Sequence, residues 1–326
     1  MGYKLAGFEV IGCNEIDPRM MEAYKENHHP RLSYLEDIRI FKNRTDLPEE
    51  LYHLDILDGS PPCSSFSAAG NREDDWGKEK VFREGQASQV LDTLFFDFIE
   101  LTKKLQPKIV IAENVKGLII GQAREYYKKI SFAFEDAGYE IQDFLLNGSD
   151  MGVPQKRERV FFVGLRRDLC SPFMEQINLF HQKPTINLSF SEKPIRYGQI
   201  KDLTGDGGPL SELYHGRWLK RIETDRDFCD ITLREEGECK CFSDKLIKDT
   251  DIFPTITAGG AIFCDFNTGR RMSDTVFMRA GSWPQDYNFM GNGPKYIIGM
   301  SVPPLMIAKI ATRIWEQWLS KFKGEV

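Results

Sequence analysis

The chain has 326 residues, of which 41% are hydrophobic and 28% are charged, and its formal net charge is −6. These proportions are typical of a globular protein, and the length allows a large domain together with a smaller one. The net negative charge argues against a protein that binds nucleic acid over its whole surface, but it is compatible with a local basic face. We find no uninterrupted apolar run of the length that a membrane span needs, and therefore predict no membrane partner.

The chain contains seven cysteines, an odd number without paired spacing. This pattern argues against a disulfide framework and predicts reduced thiols in a cytoplasmic protein. Cys239 and Cys241 form a Cys-x-Cys pair, but no second pair or nearby histidine accompanies them. Because a structural zinc ion needs four such ligands, we predict no metal site.

Apolar patterns in the first half of the chain alternate between strand and helix periods with short connections. In chain order they predict a strand at 8–13, a helix at 18–27, a strand at 51–58, a helix at 88–105, a strand at 108–112, a helix at 125–137, and strands at 139–146 and 159–165. This alternation predicts an α/β fold with a parallel sheet. Residues 169–250 are irregular and polar, which indicates a smaller loop-dominated domain. An amphipathic helix is predicted at 302–322, introduced by two prolines.

The loop at 59–70, Gly-Ser-Pro-Pro-Cys-Ser-Ser-Phe-Ser-Ala-Ala-Gly, directly follows the strand predicted at 51–58. Its two prolines restrict the backbone immediately before Cys63, and the small residues around it allow another molecule to approach. In α/β proteins the carboxyl edge of a parallel sheet is where ligands bind. We therefore predict that Cys63 is a reactive thiol and not a buried structural cysteine.

Three further segments carry polar groups that suit the same edge. Glu113-Asn114-Val115 ends the strand at 108–112, and Gln155-Lys156-Arg157-Glu158-Arg159 opens a later strand. The third segment, Gly-Met-Ser-Val-Pro-Pro at 299–304, forms a turn before the last helix. A thiol, an acid and an arginine at one crevice suit nucleophilic attack on an electron-poor ring, with partners that hydrogen-bond the ring.

These segments, together with Pro-Thr-Ile-Thr at 254–257, resemble the motifs of the cytosine-C5 DNA methyltransferase family in order and approximate spacing. The resemblance runs from residue 1 to the C-terminus apart from the variable region. It implies a Rossmann-like S-adenosylmethionine-dependent methyltransferase fold with a smaller target-recognition domain. It further implies a catalytic domain at 1–180 plus 291–326 and a target-recognition domain at 181–290.

The resemblance assigns five catalytic positions. Cys63 is similar to the nucleophile that adds to C6 of cytosine, which turns C5 into an enamine-like carbon able to take a methyl group. Glu113 would hold the N3 edge of the base, and Arg159 would hydrogen-bond its O2. Arg157 would brace the site, and Asn114 would hold the cysteine loop in place.

The methyl donor implied by the resemblance is S-adenosylmethionine. Glu15 is similar to the acid that binds the ribose hydroxyls, and Asp37 to the acid at the adenine amino edge. The positions assigned to the cofactor are Glu15, Ile16, Asp37, Ile38, Pro62, Ser301 and Val302.

Because the target base is stacked inside duplex DNA, such an enzyme must flip it out of the helix. We assign DNA contacts to Gln155, Arg270 and Arg271, and the resemblance assigns them to Thr255 and Gly259. It implies double-stranded DNA as the substrate and a cognate restriction endonuclease as functional partner, in a prokaryotic or phage-infected cell. The alternatives are a catalytically impaired DNA-binding homologue and a tRNA cytosine-C5 methyltransferase.

The chain departs from the family pattern at its start, because Met1–Phe8 resembles the end of the first helix and the preceding glycine motif is absent. We expect a misplaced start codon, a separate peptide that supplies this motif, or a truncated pseudoenzyme. Ser64 replaces the usual glutamine after the cysteine, and Met300 replaces the usual asparagine before the serine.

Overall fold

The computed structural model describes residues 1–62, 79–80, 89–90, 93–119, 124–178, 181–202 and 207–322. Cys63 and Ser64 therefore lie outside the described residues. The chain divides into two compact units. The sheet unit comprises Val10–Leu146, Glu158–Ser189 and Thr312–Val326, and the helix-rich unit comprises Met1–Glu9, Asn147–Arg157 and Phe190–Ala311.

The α-helices, in chain order, are α1 (Gly2–Leu5), α2 (Pro18–His28), α3 (Ile38–Phe41), α4 (Leu94–Leu105), α5 (Arg124–Asp136), α6 (Tyr197–Ile200), α7 (Glu212–Leu219), α8 (Phe228–Glu236), α9 (Asp274–Ala280), α10 (Pro294–Met300) and α11 (Pro304–Gln317). The β-strands are β1 (Gly12–Glu15), β2 (Leu32–Leu35), β3 (Ile56–Gly59), β4 (Glu79–Lys80), β5 (Gln89–Val90), β6 (Ile109–Val115), β7 (Tyr139–Asn147), β8 (Glu158–Arg166), β9 (Met174–Asn178), β10 (His181–Pro184), β11 (Lys245–Ile247) and β12 (Phe263–Asp265).

Most predicted elements are present with shifted ends. The strand predicted at 8–13 begins only at Gly12, and the strand predicted at 51–58 is limited to β3 because a 3-10 helix occupies Glu49–Tyr52. The helix predicted at 88–105 begins at Leu94. Its stripe of apolar residues at helical spacing is buried as predicted, which includes Leu94, Phe98 and Leu101.

The central sheet of the sheet unit has the strand order β3-β6-β8-β7. β3 runs parallel to β6, with Gly59 opposite Ala112, whereas β6 and β8 are antiparallel, with Val115 opposite Arg159. β1 and β2 form a separate parallel pair. The predicted parallel sheet is therefore correct for β3 and β6 and wrong for β6 and β8. The connection from β7 to β8 is short and contains only the single-turn 3-10 helix Gly148–Met151, so it cannot carry the chain back to the starting edge as a parallel crossover requires.

The core of the sheet unit lies between the sheet and helices α4 and α5. Aromatic rings form its centre, with Phe95 in edge-to-face contact with Phe162 and Phe134 at centroid distances of 5.7 and 6.1 Å. Gly59, the last residue of β3, is required here because a Cβ atom would lie 2.5 Å from the ring of Phe98. The close approach of α4 to β3 therefore depends on the glycine with which the 59–70 loop begins.

The stretch Pro294–Phe322 is long and apolar enough to cross a membrane by length and composition alone. The structure divides it into α10, a turn and α11, and half of it is buried inside the fold. Met306, Ile310, Ile314 and Trp318 are fully buried at helical spacing. Because core helices pass the same test of composition, this stretch is weak evidence for a membrane span.

A buried carboxylate, Asp265, organises the centre of the helix-rich unit. It accepts hydrogen bonds from the Tyr197 hydroxyl at 2.8 Å and from the backbone N–H groups of Asn267 and Thr268 at 2.9 and 2.8 Å. The Lys201 ammonium lies 2.7 Å from its Oδ2. Burial opposes ionisation of Asp265, but these donors outweigh it and hold the pKa of the carboxyl below its ordinary value.

The helix-rich unit also contains a disulfide between Cys229 and Cys239, with a Cα–Cα distance of 4.7 Å. The prediction that all cysteines are reduced thiols is wrong for this pair. Gly237 ends α8 with a φ of 78° in the left-handed region, and this turns the chain back along the helix. The Lys240 N–H donates to the Thr232 hydroxyl at 2.9 Å, which fixes the returning segment beside the middle of α8. The two cysteines are ten residues apart in the sequence, and this separation alone does not predict that the chain turns back between them.

We predict that Asp265→Asn lowers the free energy of unfolding by about 3 kcal/mol at neutral pH, because it leaves Lys201 with an uncharged buried partner. Because folding lowers the pKa of Asp265, its ionised carboxyl stabilises the folded state. This contribution to the free energy of unfolding is complete well above the ordinary Asp pKa of about 3.9 and is lost as the pH falls through the folded pKa. Urea unfolding should therefore show a gap between variant and wild type that shrinks from about pH 5 to pH 3.

The matched control is Asp249→Asn. Asp249 pairs with the same lysine at 3.1 Å, but its side chain is 49% exposed, so a small effect is expected. An equal loss of stability in both variants, or a gap for Asp265→Asn that does not change with pH, would contradict the proposed role of Asp265.

Candidate active site

A half-buried ion pair lies at the carboxyl end of β6 in the sheet unit. Arg159 Nε is 2.8 Å from Glu113 Oε1, and both side chains are 14% exposed. The antiparallel register places Arg159 opposite Val115, two residues from Glu113 on the same face of the sheet. Diagonal neighbours of this kind lie within reach of long side chains. The register of β6 and β8 therefore brings together the acid and the arginine that the sequence analysis assigns to the same base.

Asn114 projects from the other face of β6 and is 4% exposed. Its amide Nδ2 donates to the backbone carbonyl of Pro61 at 3.1 Å, and its Oδ1 accepts from the Val115 N–H at 2.9 Å. This is the contact expected of a residue that holds the cysteine loop. Pro61 is buried, and Pro62, predicted at the cofactor, is exposed. Cys63 follows Pro62 directly in the sequence.

Two of the carboxylates predicted to bind the cofactor lie at the carboxyl ends of adjacent parallel strands. Glu15 ends β1 opposite Leu35, the last residue of β2, and Asp37 follows two residues later. Glu15 Oε1 accepts from the N–H groups of Ile16 and Asp17 at 2.8 and 2.9 Å. Burial raises the pKa of Glu15, and these two hydrogen bonds oppose the rise.

The residues at this edge fit an adenosine group. Among the described residues, Glu15 Oε2 has no hydrogen-bond partner, so this oxygen can accept from ribose hydroxyls. Ile16 is 37% exposed, which leaves an apolar surface beside the carboxylate that suits a purine face. Ile38 begins α3 and packs against the core clusters of the sheet unit.

Asp37 has a partner that the sequence reasoning did not identify. Its Oδ1 caps α3 by accepting from the Arg39 N–H at 2.8 Å, and both oxygens accept from the Arg39 side chain. This hydrogen bonding to Arg39 lowers the pKa of Asp37. The carboxylate is therefore held ionised and oriented at the end of β2, with the acceptor character expected at an adenine amino group.

Gln155 and Arg157 lie in the helix-rich unit and are each 1% exposed. The Gln155 amide donates to the Ala280 carbonyl at 3.2 Å and accepts from the Ile256 N–H at 3.1 Å. The Arg157 guanidinium donates to the carbonyls of Ile256 and Gly299 at 3.0 and 2.9 Å. The prediction of a direct DNA contact is not supported for Gln155, because its amide is buried and bound within the protein. Both residues hold the segment around Ile256.

The other residues predicted to contact DNA, all in the helix-rich unit, are accessible. Thr255 is half-buried, and its hydroxyl donates to a backbone carbonyl of Lys156. Gly259, Arg270 and Arg271 are exposed. The N–H of Arg271 donates to the Gly208 carbonyl at 3.1 Å, which anchors this strand-like turn by its backbone and leaves the guanidinium at the surface.

Ser301 and Val302, predicted at the methionine end of the cofactor, follow α10 and are half-buried. The Ser301 hydroxyl donates to the Ile297 carbonyl at 2.7 Å. Within the part of the chain that the structure describes, no group of three histidine, cysteine, aspartate or glutamate residues could hold a metal ion. Sequence reasoning missed Lys295 of α10, whose ammonium binds backbone carbonyls of the 259–261 segment.

We predict that Arg157→Lys lowers the free energy of unfolding by about 1–3 kcal/mol. A lysine keeps the charge, but its point-like ammonium lacks the planar fork that bridges the carbonyls of Ile256 and Gly299. Urea unfolding measures the effect. Arg226→Lys is the matched control, because Arg226 lies in the same unit with its side chain 83% exposed and should change stability by less than about 0.5 kcal/mol. Equal stability of the two variants would contradict the bridging role.

A family model described as C-5 cytosine-specific DNA methylase matches residues 1–316. The type II methyltransferase M.FnuDI of Fusobacterium nucleatum is 41% identical over 172 residues, which cover 52% of this chain and only 44% of that protein. M.NgoFVII of Neisseria gonorrhoeae, also a type II methyltransferase, is 26% identical over 330 residues, which cover 96% of this chain and 82% of that protein.

Among solved structures, a DNA modification methyltransferase encoded within an E. coli prophage superposes with a TM-score of 0.64 at 18% identity. The superposition covers 97% of this chain and 94% of that one. This likeness supports the fold predicted from the sequence motifs. The chain therefore belongs to the C-5 cytosine-specific DNA methylase family and has the S-adenosylmethionine-dependent methyltransferase fold.

Proposed function

We propose that the chain is a DNA cytosine-C5 methyltransferase that acts on a specific duplex sequence. The observation that carries the proposal is the Glu113–Arg159 ion pair at the end of β6, beside an Asn114 that binds Pro61. Cys63 stands two residues after Pro61 in the sequence. An acid, a guanidinium and a thiol in this relation suit attack on a pyrimidine ring.

In the proposed mechanism the Cys63 thiolate forms a bond to C6 of a flipped cytosine. The electron pair of the C5–C6 double bond moves to C5, and negative charge spreads to O2 and N3. The Arg159 guanidinium stabilises O2 through hydrogen bonds, and the protonated Glu113 carboxyl donates its proton, or a hydrogen bond, to N3. C5 then takes the methyl group, loses its proton to a base, and the Sγ–C6 bond breaks to restore the ring and the thiolate.

S-adenosylmethionine supplies an electrophilic methyl group when bound. Glu15 would accept hydrogen bonds from its ribose, Ile16 would cover one face of the adenine, and Asp37 would accept from the adenine amino group. Ser301 and Val302 are proposed at the methionine end, with Pro62. We also propose that residues 181–290 form the target-recognition domain and that 1–180 with 291–326 form the catalytic domain.

The proposed substrate is double-stranded DNA, with Thr255, Gly259, Arg270 and Arg271 as contacts. The biological setting follows from the relatives, which are type II methyltransferases of bacteria and an orphan methyltransferase of Bacillus phage SPR. We propose either a restriction endonuclease as functional partner or protection of phage DNA, in the cytoplasm. A catalytically impaired DNA-binding protein and a tRNA methyltransferase are the alternative outcomes that the experiments below distinguish.

We predict that the purified protein transfers labelled methyl groups from S-adenosylmethionine to plasmid DNA and not to tRNA. Cys63→Ala should abolish the transfer, because no other group forms the bond to C6. DNA that contains 5-fluorocytosine should form a complex stable to detergent with the wild type alone, since the fluorine at C5 cannot leave as a proton. Bisulfite sequencing of the methylated plasmid identifies the target.

Cys170→Ala is the matched control, because Cys170 is a buried cysteine of the same unit that contacts backbone carbonyls. It should retain methyl transfer. Methylation by Cys63→Ala would contradict the proposed nucleophile. Binding of DNA without any transfer by the wild type would favour the DNA-binding alternative, and transfer to tRNA alone would favour the RNA enzyme.

We also predict that Glu113→Gln lowers kcat by about 10²-fold or more, with a much smaller change in the affinity for DNA. Glutamine preserves the size of the side chain and can still accept one hydrogen bond from Arg159, but it removes the carboxylate. Single-turnover methyl transfer at saturating DNA measures the step. Glu158→Gln is the control, because Glu158 lies at the exposed start of β8, next to Arg159, and pairs with Lys116 at 2.9 Å. A rate for Glu113→Gln equal to that of the control would exclude Glu113 from the chemistry.

A further inference from the structure

Residues 257–261, Thr-Ala-Gly-Gly-Ala, form a small-residue segment between Ile256 and β12 in the helix-rich unit, which we call the glycine loop. Thr257, Gly259 and Gly260 are exposed, and Ala258 and Ala261 are half-buried. Within the described residues, the backbone N–H groups of Gly259 and Gly260 have no hydrogen-bond acceptor. The backbone of this loop is therefore available to another molecule on its N–H side.

The carbonyl side of the glycine loop is bound by Lys295, in the first turn of α10. Its Nζ donates to the carbonyls of Gly259 and Ala261 at 2.8 and 2.5 Å and lies 5.3 Å from the centre of the Phe263 ring. Burial lowers the pKa of Lys295, and the nearby charge of Arg271 lowers it further. The energetic penalty of burying this ammonium is offset by the two carbonyls and the ring.

The same face of α10 contacts the loop one turn later. Gly299 is four residues after Lys295, and a Cβ atom at this position would lie 2.4 Å from the backbone nitrogen of Ala258. Arg157 joins the carbonyls of Ile256 and Gly299 at the start of the loop. Arg157 therefore binds the carbonyl of residue 256, and Lys295 binds the carbonyls of residues 259 and 261.

This arrangement matters for an anionic partner. Free carbonyl oxygens repel phosphate groups, whereas backbone N–H groups and positive charge attract them and are common contacts to the DNA backbone. Lys295 neutralises two carbonyls of the glycine loop, and the exposed Arg271 lies near enough to affect its pKa. The exposed N–H groups of the loop and these two cations suit an anionic partner such as a DNA phosphate, and the nearby Asp244 carboxylate accepts from the Ile262 N–H at 2.7 Å.

We infer that Lys295 is a positioning residue that sets the backbone conformation of the glycine loop for contact with the DNA substrate. The inference deepens the proposed function and rests on it for the identity of the ligand. Lys295 acts through the loop and does not touch the reacting atoms.

The first test measures the loop in the free protein. Lys295→Met keeps the length of the side chain and removes the ammonium. Hydrogen exchange should become about tenfold faster or more at the Ile262 amide, which follows the loop and donates to Asp244 at 2.7 Å. Lys309→Met is the matched control, because Lys309 pairs on the surface with Glu192 in the same unit and should leave this amide unchanged. Equal exchange in the two variants would overturn the inference.

The second test measures the kinetics and the sequence specificity of methyl transfer, with unmethylated plasmid as the DNA substrate. Lys295→Met should raise the KM for plasmid about tenfold, with kcat within about threefold of wild type, and bisulfite sequencing should show methylation at additional sequences. Lys295→Arg should recover most of the affinity, since a guanidinium can donate to both carbonyls. A general structural defect would lower kcat as well and would not be rescued by arginine. Kinetics of Lys295→Met equal to those of Lys309→Met would overturn the inference.

If the wild type methylates no DNA, the proposed activity fails, and the inference is decided by binding alone. Filter retention of labelled plasmid fragments should then show about tenfold weaker binding for Lys295→Met than for Lys309→Met. Equal binding by these two variants would overturn the role of Lys295, whereas the predicted difference would support a DNA-binding loop in a protein that has lost its chemistry.

Discussion

The structure of the site depends on the antiparallel register of β6 and β8. Arg159 reaches Glu113 only because it lies opposite Val115, and a shift of one residue would send its side chain to the other face of the sheet. Two charges that are each 14% exposed stabilise the fold only when they remain paired, so the register and the ion pair support one another. The parallel pairing of β3 with β6 also brings Pro61, two residues before Cys63 in the sequence, to Asn114 of β6, whose amide binds the Pro61 carbonyl.

The segment at 155–159 contains residues of both units, 155–157 in the helix-rich unit and Glu158 and Arg159 in the sheet unit. Its odd-numbered residues Gln155, Arg157 and Arg159 are withdrawn from solvent, whereas Lys156 and Glu158 are exposed. The alternation has the period of a strand, although β8 begins only at Glu158. Gln155 and Arg157 stabilise the segment around Ile256 in the helix-rich unit, and Arg159 pairs with Glu113 in the sheet unit.

Sequence patterns were sufficient for features that depend on local periodicity or on short motifs. The buried stripe of α4, the apolar strand that ends in Glu113-Asn114-Val115 and the helix after the two prolines follow from spacing alone. Features that depend on chain reversal were wrong or missed. The β6–β8 pairing is antiparallel, and Cys229 meets Cys239 because Gly237 turns the chain. Burial of Gln155 and the carbonyl contacts of Lys295 involve partners more than thirty residues away.

The sequence by itself determined the family, the candidate thiol, acid and arginine, and the carboxylates proposed for the cofactor, because motif order and residue type are written directly in the chain. Only the tertiary structure decided which of these groups meet. In the structure Arg159 pairs with Glu113, and Asp37 pairs with Arg39. Gln155 is buried, and Lys295 binds the carbonyls of the glycine loop. The physical reason is that burial, strand register and hydrogen bonds to distant carbonyls arise from the packing of whole elements, which no local pattern encodes.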